Sequence, residues 1–71
     1  MDIEKLSRMA NQIAANFEAQ GHDKAVDETA LHIWKFWDPR MKSQIFADDL
    51  SRLSPIAREA IEKLKADAEA A

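Results

Sequence analysis

The chain has 71 residues, with no cysteine, one glycine and two prolines. Without cysteine there is no disulfide framework and no thiolate for a metal, so the bonds that hold small secreted domains together are missing. A single glycine cannot build a glycine-rich phosphate loop. No apolar run approaches the roughly 20 residues of a membrane span, and charged residues near the beginning, such as Asp2 and Lys5, argue against a secretory signal. We therefore expect a cytoplasmic protein with no membrane segment.

The charge balance of the chain is slightly acidic. Ten Lys and Arg residues stand against thirteen Asp and Glu residues, which gives a net charge of −3. The basic side chains are dispersed along the chain, whereas nucleic-acid binding requires them to be clustered. We therefore expect no nucleic-acid partner.

The sequence predicts an all-α protein. There is no strand-like alternation of β-branched residues, and the apolar side chains of the first helix fall on one face at helical spacing. Seventy-one residues are enough for one domain, residues 1–71, with a small core. We expect a small bundle of three to four short helices. Their predicted spans are residues 2–20, 24–37, 39–50 and 55–68.

Glycine and proline mark the predicted helix boundaries. Gly21 can adopt the left-handed conformation that ends the first helix, and Asp23 can cap the second. Proline suits the first position of a helix, while the residue before it resists the helical conformation. The third and fourth helices are therefore predicted to open at Asp38-Pro39 and Ser54-Pro55.

Residues 32–42 hold both tryptophans of the chain. Trp and Arg are over-represented where one protein contacts another. The apolar surface of the second helix is wider than one core contact requires, because Leu31 and Trp34 lie beyond its main stripe. Either other helices of the same domain cover this surface or a partner protein does. We predict a partner, with an interface made of Leu31, Trp34, Trp37, Arg40, Met41, Phe46 and Leu50.

Polar candidates are few. Arg40 could clamp a partner's carboxylate or phosphate and stack on Trp37, or it could be a solvated charge. Asn11 could cap a neighbouring backbone or lie at the surface. His22 and His32 have no nucleophile or metal-ligand motif around them. The sequence therefore predicts no catalytic, cofactor-binding or metal-binding residue.

Two blocks of the sequence resemble the small delta subunit of soluble NAD-dependent formate dehydrogenase. They are Lys-Leu-Ser-Arg-Met-Ala-Asn-Gln-Ile-Ala at residues 5–14 and His-Ile-Trp-Lys-Phe-Trp-Asp-Pro-Arg-Met-Lys at residues 32–42. Lys42 stands where the family often has a second arginine, so the bidentate fork is lost there. The residues that carry the resemblance are Arg8, Met9, Asn11, Gln12 and Ile13, then Phe36, Trp37, Asp38, Pro39, Arg40 and Met41.

The resemblance implies an accessory polypeptide of a bacterial multi-subunit enzyme. In such complexes a large catalytic subunit with a bis-pyranopterin molybdenum or tungsten centre oxidises formate to carbon dioxide. Subunits with iron–sulfur clusters and FMN pass the electrons to NAD. The delta chain is implied to bind none of these cofactors and to have the large subunit as its partner.

Three hypotheses follow for the function. The chain is a non-catalytic subunit that docks on the large subunit and stabilises or assembles the complex. Alternatively, it is a transient assembly factor that leaves after cofactor insertion into the large subunit. In the third hypothesis it is a free-standing helical regulator or DNA-binding module, with Arg40 and Lys42 meeting phosphate. Isolated from its partner, the chain is expected to form a homodimer at high concentration.

Overall fold

A computed structural model describes residues 2–70 and shows four α-helices, with no strand in that part of the chain. This confirms the prediction of a small all-α bundle. Helix α1 spans Ile3–Phe17 and continues into a 3₁₀ turn at Glu18–Gln20. The other helices are α2 at His22–Phe36, α3 at Pro39–Phe46 and α4 at Pro55–Ala70.

The predicted start of α3 is confirmed by its capping bond. The Asp38 carboxylate accepts a hydrogen bond from the Met41 backbone N–H at 2.9 Å, and Pro39 is the first residue of the helix. Before α4, the Ser54 hydroxyl accepts from the Ala57 N–H at a longer 3.4 Å. Both helices therefore begin where the cap and proline chemistry of the sequence predicts.

The start of α2 differs from the prediction. The helix begins at His22 instead of residue 24, and Gly21 occupies the cap position with φ 97° and ψ 155°. Asp23 lies inside the first turn and is not the capping residue, so that prediction was wrong. Its carboxylate still lies near the positive end of the helix dipole, where negative charge is favourable.

The end of α3 also differs, because the helix stops at Phe46 and not at residue 50. The Asp48 carboxylate accepts from the Leu50 N–H at 3.0 Å, and the Asp49 carboxylate accepts from the Ser51 N–H at 3.0 Å. Such local bonds compete with the helical ones. The bond from the Ser51 backbone also lowers the pKa of Asp49, since it stabilises the ionised carboxylate.

The core lies between α1, α2 and α4, with α3 and the following loop closing it. Its largest fully buried side chains are Leu6, Ile33, Ile45, Ile61 and Thr29. Leu50 and Leu53 reach the core from the loop after α3, and Leu50 takes a positive φ of 64° to do so. Small side chains let the helices approach closely, namely Ala10, Ala14, Ala25, Ala30, Ala57 and Ala60.

Candidate partner interface

Among residues 2–70, the large apolar side chains that are exposed to water lie on helix α2. Its inner face packs into the core, whereas Leu31, Trp34 and Phe36 are 46%, 55% and 71% exposed. Trp34 and Phe36 are two residues apart and so project about 200° apart around the helix. The exposed apolar surface is therefore divided between two flanks of α2.

On the first flank, α2 and α4 enclose an open groove with a volume of about 450 Å³, which we call the α2–α4 groove. Its lining is mainly apolar, with three charged side chains among the residues that line it. The apolar ones are Ala30, Leu31, Trp34, Leu64 and Ala68, and the charged ones are Asp27, Lys63 and Asp67.

The charged side chains around the α2–α4 groove are arranged asymmetrically. Lys63 donates to the Asp27 carboxylate in an ion pair between α4 and α2, and this hydrogen bond raises the pKa of Lys63. Asp67 has no ion-pair partner within residues 2–70. The Lys42 ammonium lies 4.2 Å from the centroid of the Trp34 ring, in a cation–π contact. The acidic Asp67 and the basic Lys42 therefore both border this apolar surface.

On the second flank, a groove of about 340 Å³ lies between α1, the end of α2 and α3, and we call it the motif groove. The His32 and Phe36 rings pack against each other there with centroids 4.8 Å apart. The motif groove is lined by Met9, Gln12, Ile13, His32, Phe36, Trp37 and Met41. The two sequence blocks that carry the family resemblance therefore meet at one surface, which their separate positions in the chain did not reveal.

The predicted interface residues do not form one surface. Leu31 and Trp34 line the α2–α4 groove, whereas Met41 lies in the motif groove. Arg40 is exposed at the start of α3, and Phe46 is partly buried at its end. The large apolar side chains that remain exposed to a partner therefore lie on α2.

Trp37 and Leu50 serve the core of this chain, since they are 5% and 8% exposed. The expected stacking of Arg40 on Trp37 is not the contact that forms. The cation found on a tryptophan ring is Lys42, and the ring is that of Trp34. Trp37 directly follows the last residue of α2 and packs in the core cluster.

Asn11 makes a long-range contact that decides between its two interpretations. Its side-chain amide donates to the Arg52 carbonyl at 3.0 Å, and its side-chain oxygen accepts from the Ser54 N–H at 2.8 Å. Asn11 therefore caps a neighbouring backbone. Of the other polar residues in the first block, Arg8 is exposed and Gln12 bonds to Asn16 at 3.3 Å along α1.

The described residues show no cluster of three or more His, Cys, Asp or Glu side chains that could hold a metal ion. His22 lies at the start of α2 and pairs with Glu59 of α4. Iron–sulfur clusters are held by cysteine thiolates, and a chain without cysteine does not fit that group. Over residues 2–70, none of the helices has the length and apolar character needed to span a bilayer.

The geometry defines a small helical bundle with apolar grooves on both flanks of one helix. A family model described as "NADH-dependant formate dehydrogenase delta subunit FdsD" matches residues 5–61. The match covers both sequence blocks, and the chain belongs to this family of formate dehydrogenase subunits. Comparison with curated proteins and with solved structures gives no match.

Proposed function

We propose that this chain is a non-catalytic accessory subunit that docks on the large catalytic subunit of a bacterial, cytoplasmic NADH-dependent formate dehydrogenase. Leu31 and Trp34 are exposed on α2, in a chain that belongs to a family of subunits of a larger enzyme, and this observation carries the proposal. Large exposed apolar side chains that lie together are typical of surfaces that bind another protein. Docking then stabilises or assembles the complex.

The energetic reason is the removal of apolar surface from water. Trp side chains are enriched among the residues that dominate binding energy. In the free chain, the Lys42 ammonium already contacts the Trp34 ring. A partner that binds only the folded chain also stabilises the fold by mass action. Such coupling matters for a bundle of this size, which buries a smaller fraction of its surface on folding than a larger domain does.

In this proposal the cofactors belong to the other subunits. The complex holds a molybdenum or tungsten pterin centre, iron–sulfur clusters and FMN, and this chain binds none of them. Its contribution to formate oxidation is the stability or assembly of the subunit on which it docks.

The experiment is to express the tagged chain together with the formate dehydrogenase subunits, purify through the tag and assay formate-dependent NAD reduction. We expect the wild-type chain to recover active enzyme that contains its metal. Trp34→Ala should lower that recovery, because it removes an exposed side chain without opening the core. Failure of the wild-type chain to recover any formate dehydrogenase subunit would overturn the proposal.

The same purification tests the transient assembly factor. That alternative predicts recovery of the large subunit alone, without metal and without activity. It also predicts that mature active enzyme lacks this chain. The two outcomes are distinguished by metal analysis of the eluted protein.

A further inference from the structure

We infer that the α2–α4 groove receives one amphipathic helix of a formate dehydrogenase subunit, which inserts apolar side chains into the groove and places a Lys or Arg against Asp67. This inference rests on the proposed function, since it names the kind of element that the partner supplies. The motif groove on the other flank of α2 is not part of it.

The shape of the groove accepts side chains from a partner. Ala30 and Ala68 contribute only methyl groups, while Leu31 and Trp34 are larger side chains of the lining. The volume of about 450 Å³ lies within the range of about 300–1,000 Å³ for pockets that hold drug-sized ligands. More than one apolar side chain can therefore enter.

The length of the groove corresponds to two turns of helix. Along α2 it reaches from Asp27 to Trp34, and along α4 from Lys63 to Ala68. Seven residues of α-helix rise about 10 Å, and side chains one turn apart on a helix project to the same side. A pair of apolar side chains at i and i+4 therefore matches the groove.

The backbone of the groove favours a helix over an extended peptide. Both walls of the groove are helices, so an extended segment would find no strand edge to pair with. Its own N–H and C=O groups would lose water without gaining partners. A helix satisfies these groups internally.

The charge of the groove specifies a basic partner residue. Lys63 forms its ion pair with Asp27 and is also attracted by the more distant Asp67, which has no ion pair of its own within residues 2–70. The three charged residues of the lining therefore sum to one negative charge, and the basic Lys42 lies outside the lining, beside Trp34. A Lys or Arg on the incoming helix would pair with Asp67, and the net charge of −3 favours approach of a basic surface.

The first test uses matched charge reversals in the co-expressed complex. Asp67→Arg should lower affinity for the formate dehydrogenase subunits by about tenfold or more, because it puts like charges together. Glu69→Arg makes the same change on the same helix, but residue 69 does not line the groove and lies about 200° around α4 from residue 67. We expect that control to bind like the wild-type chain.

The second test fills the groove. Ala68→Trp places a large side chain where the partner helix would lie, and residue 68 is exposed, so the bundle should keep its fold. We expect the complex to be lost while the circular dichroism and melting of the isolated variant match those of the wild-type chain. If the wild-type complex forms and Asp67→Arg and Ala68→Trp bind normally, the groove assignment is wrong and docking itself survives. If the wild-type complex does not form, the proposed function fails.

The third test identifies the occupant. Because the chain has no cysteine, Ala68→Cys can be labelled at a single position with a photo-crosslinker in the assembled complex. Mass spectrometry should find a helical segment of a formate dehydrogenase subunit with a Lys or Arg within one turn of the cross-linked residue. Cross-linking to an acidic segment, or to a second copy of this chain, would overturn the inference.

Discussion

The side-chain oxygen of Asn11 accepts the backbone N–H of Ser54 at 2.8 Å, joining positions 43 residues apart. The amide of the same side chain donates to the Arg52 carbonyl at 3.0 Å. One side chain in the middle of α1 therefore satisfies two backbone groups of the segment that leads into α4. This contact fixes how the loop after α3 returns to the bundle.

Asn11→Ala should lower the free energy of unfolding by about 1–3 kcal/mol, since it leaves a partly buried N–H and a carbonyl without their partner. Urea denaturation followed by circular dichroism measures the change. Asn16→Ala on the same helix is the control, because Asn16 is exposed and its side chain accepts a hydrogen bond from Gln12 of the same helix. That variant should stay within about 0.5 kcal/mol of the wild-type chain. Equal losses in the two variants would contradict a structural role for Asn11.

Truncation of the two tryptophans should change the stability of the chain to very different extents. Trp37 is 5% exposed, so Trp37→Ala should lower the free energy of unfolding by about 3–5 kcal/mol and leave much of the chain unfolded. Trp34 is 55% exposed, and Trp34→Ala should have a small effect on stability. Thermal unfolding of both variants measures the difference.

Trp37→Phe keeps this comparison informative if Trp37→Ala does not fold. The smaller ring should leave the chain folded but with a lower melting temperature than the wild type. A Trp34→Ala variant less stable than Trp37→Phe would show that Trp34, and not Trp37, belongs to the core.

Gly21 connects the 3₁₀ turn to α2 with φ 97° and ψ 155°, a region that residues with a side chain rarely adopt. A Cβ added there would meet nothing within 4 Å, so the penalty for Gly21→Ala comes from the backbone alone. We expect a loss of about 1–3 kcal/mol in the free energy of unfolding. Chemical denaturation measures it, with Gln20→Ala as the neighbouring control. A variant as stable as the wild-type chain would contradict this conformation of the turn.

The start of α3 could be predicted from the sequence, whereas its end could not. Asp38 and Pro39 fix the start of α3 through a cap and a preset φ, so the sequence alone was sufficient there. The end of α3 depends on competition between helical bonds and the Asp48 and Asp49 turns. It depends also on burial of Leu50, which requires knowing where α1 and α4 lie. The spacing of apolar residues along the sequence therefore could not predict where α3 ends.

For the candidate interface, too, some features could be predicted from the sequence and others depend on packing between helices. Helical periodicity was enough to place Leu31 and Trp34 outside the core stripe of α2, where the structure finds them exposed. It could not tell that Met9 and Phe36 share the motif groove, or that Met41 lines it as well. Those contacts depend on how helices cross, and no single helix carries that information.

Self-association of the isolated chain is the last prediction. Leu31 and Trp34 remain in water when no partner is present, and a second copy of the same apolar surface can cover them around a two-fold axis. We expect a monomer–dimer equilibrium in sedimentation velocity that shifts toward dimer as the protein concentration rises. Trp34→Ala should shift it toward monomer, whereas Phe36→Ala, on the other flank of α2, should not. A wild-type chain that stays monomeric at tens of micromolar would rule out this dimer. If Phe36→Ala alone shifted the equilibrium toward monomer, the dimer contact would lie at the motif groove instead.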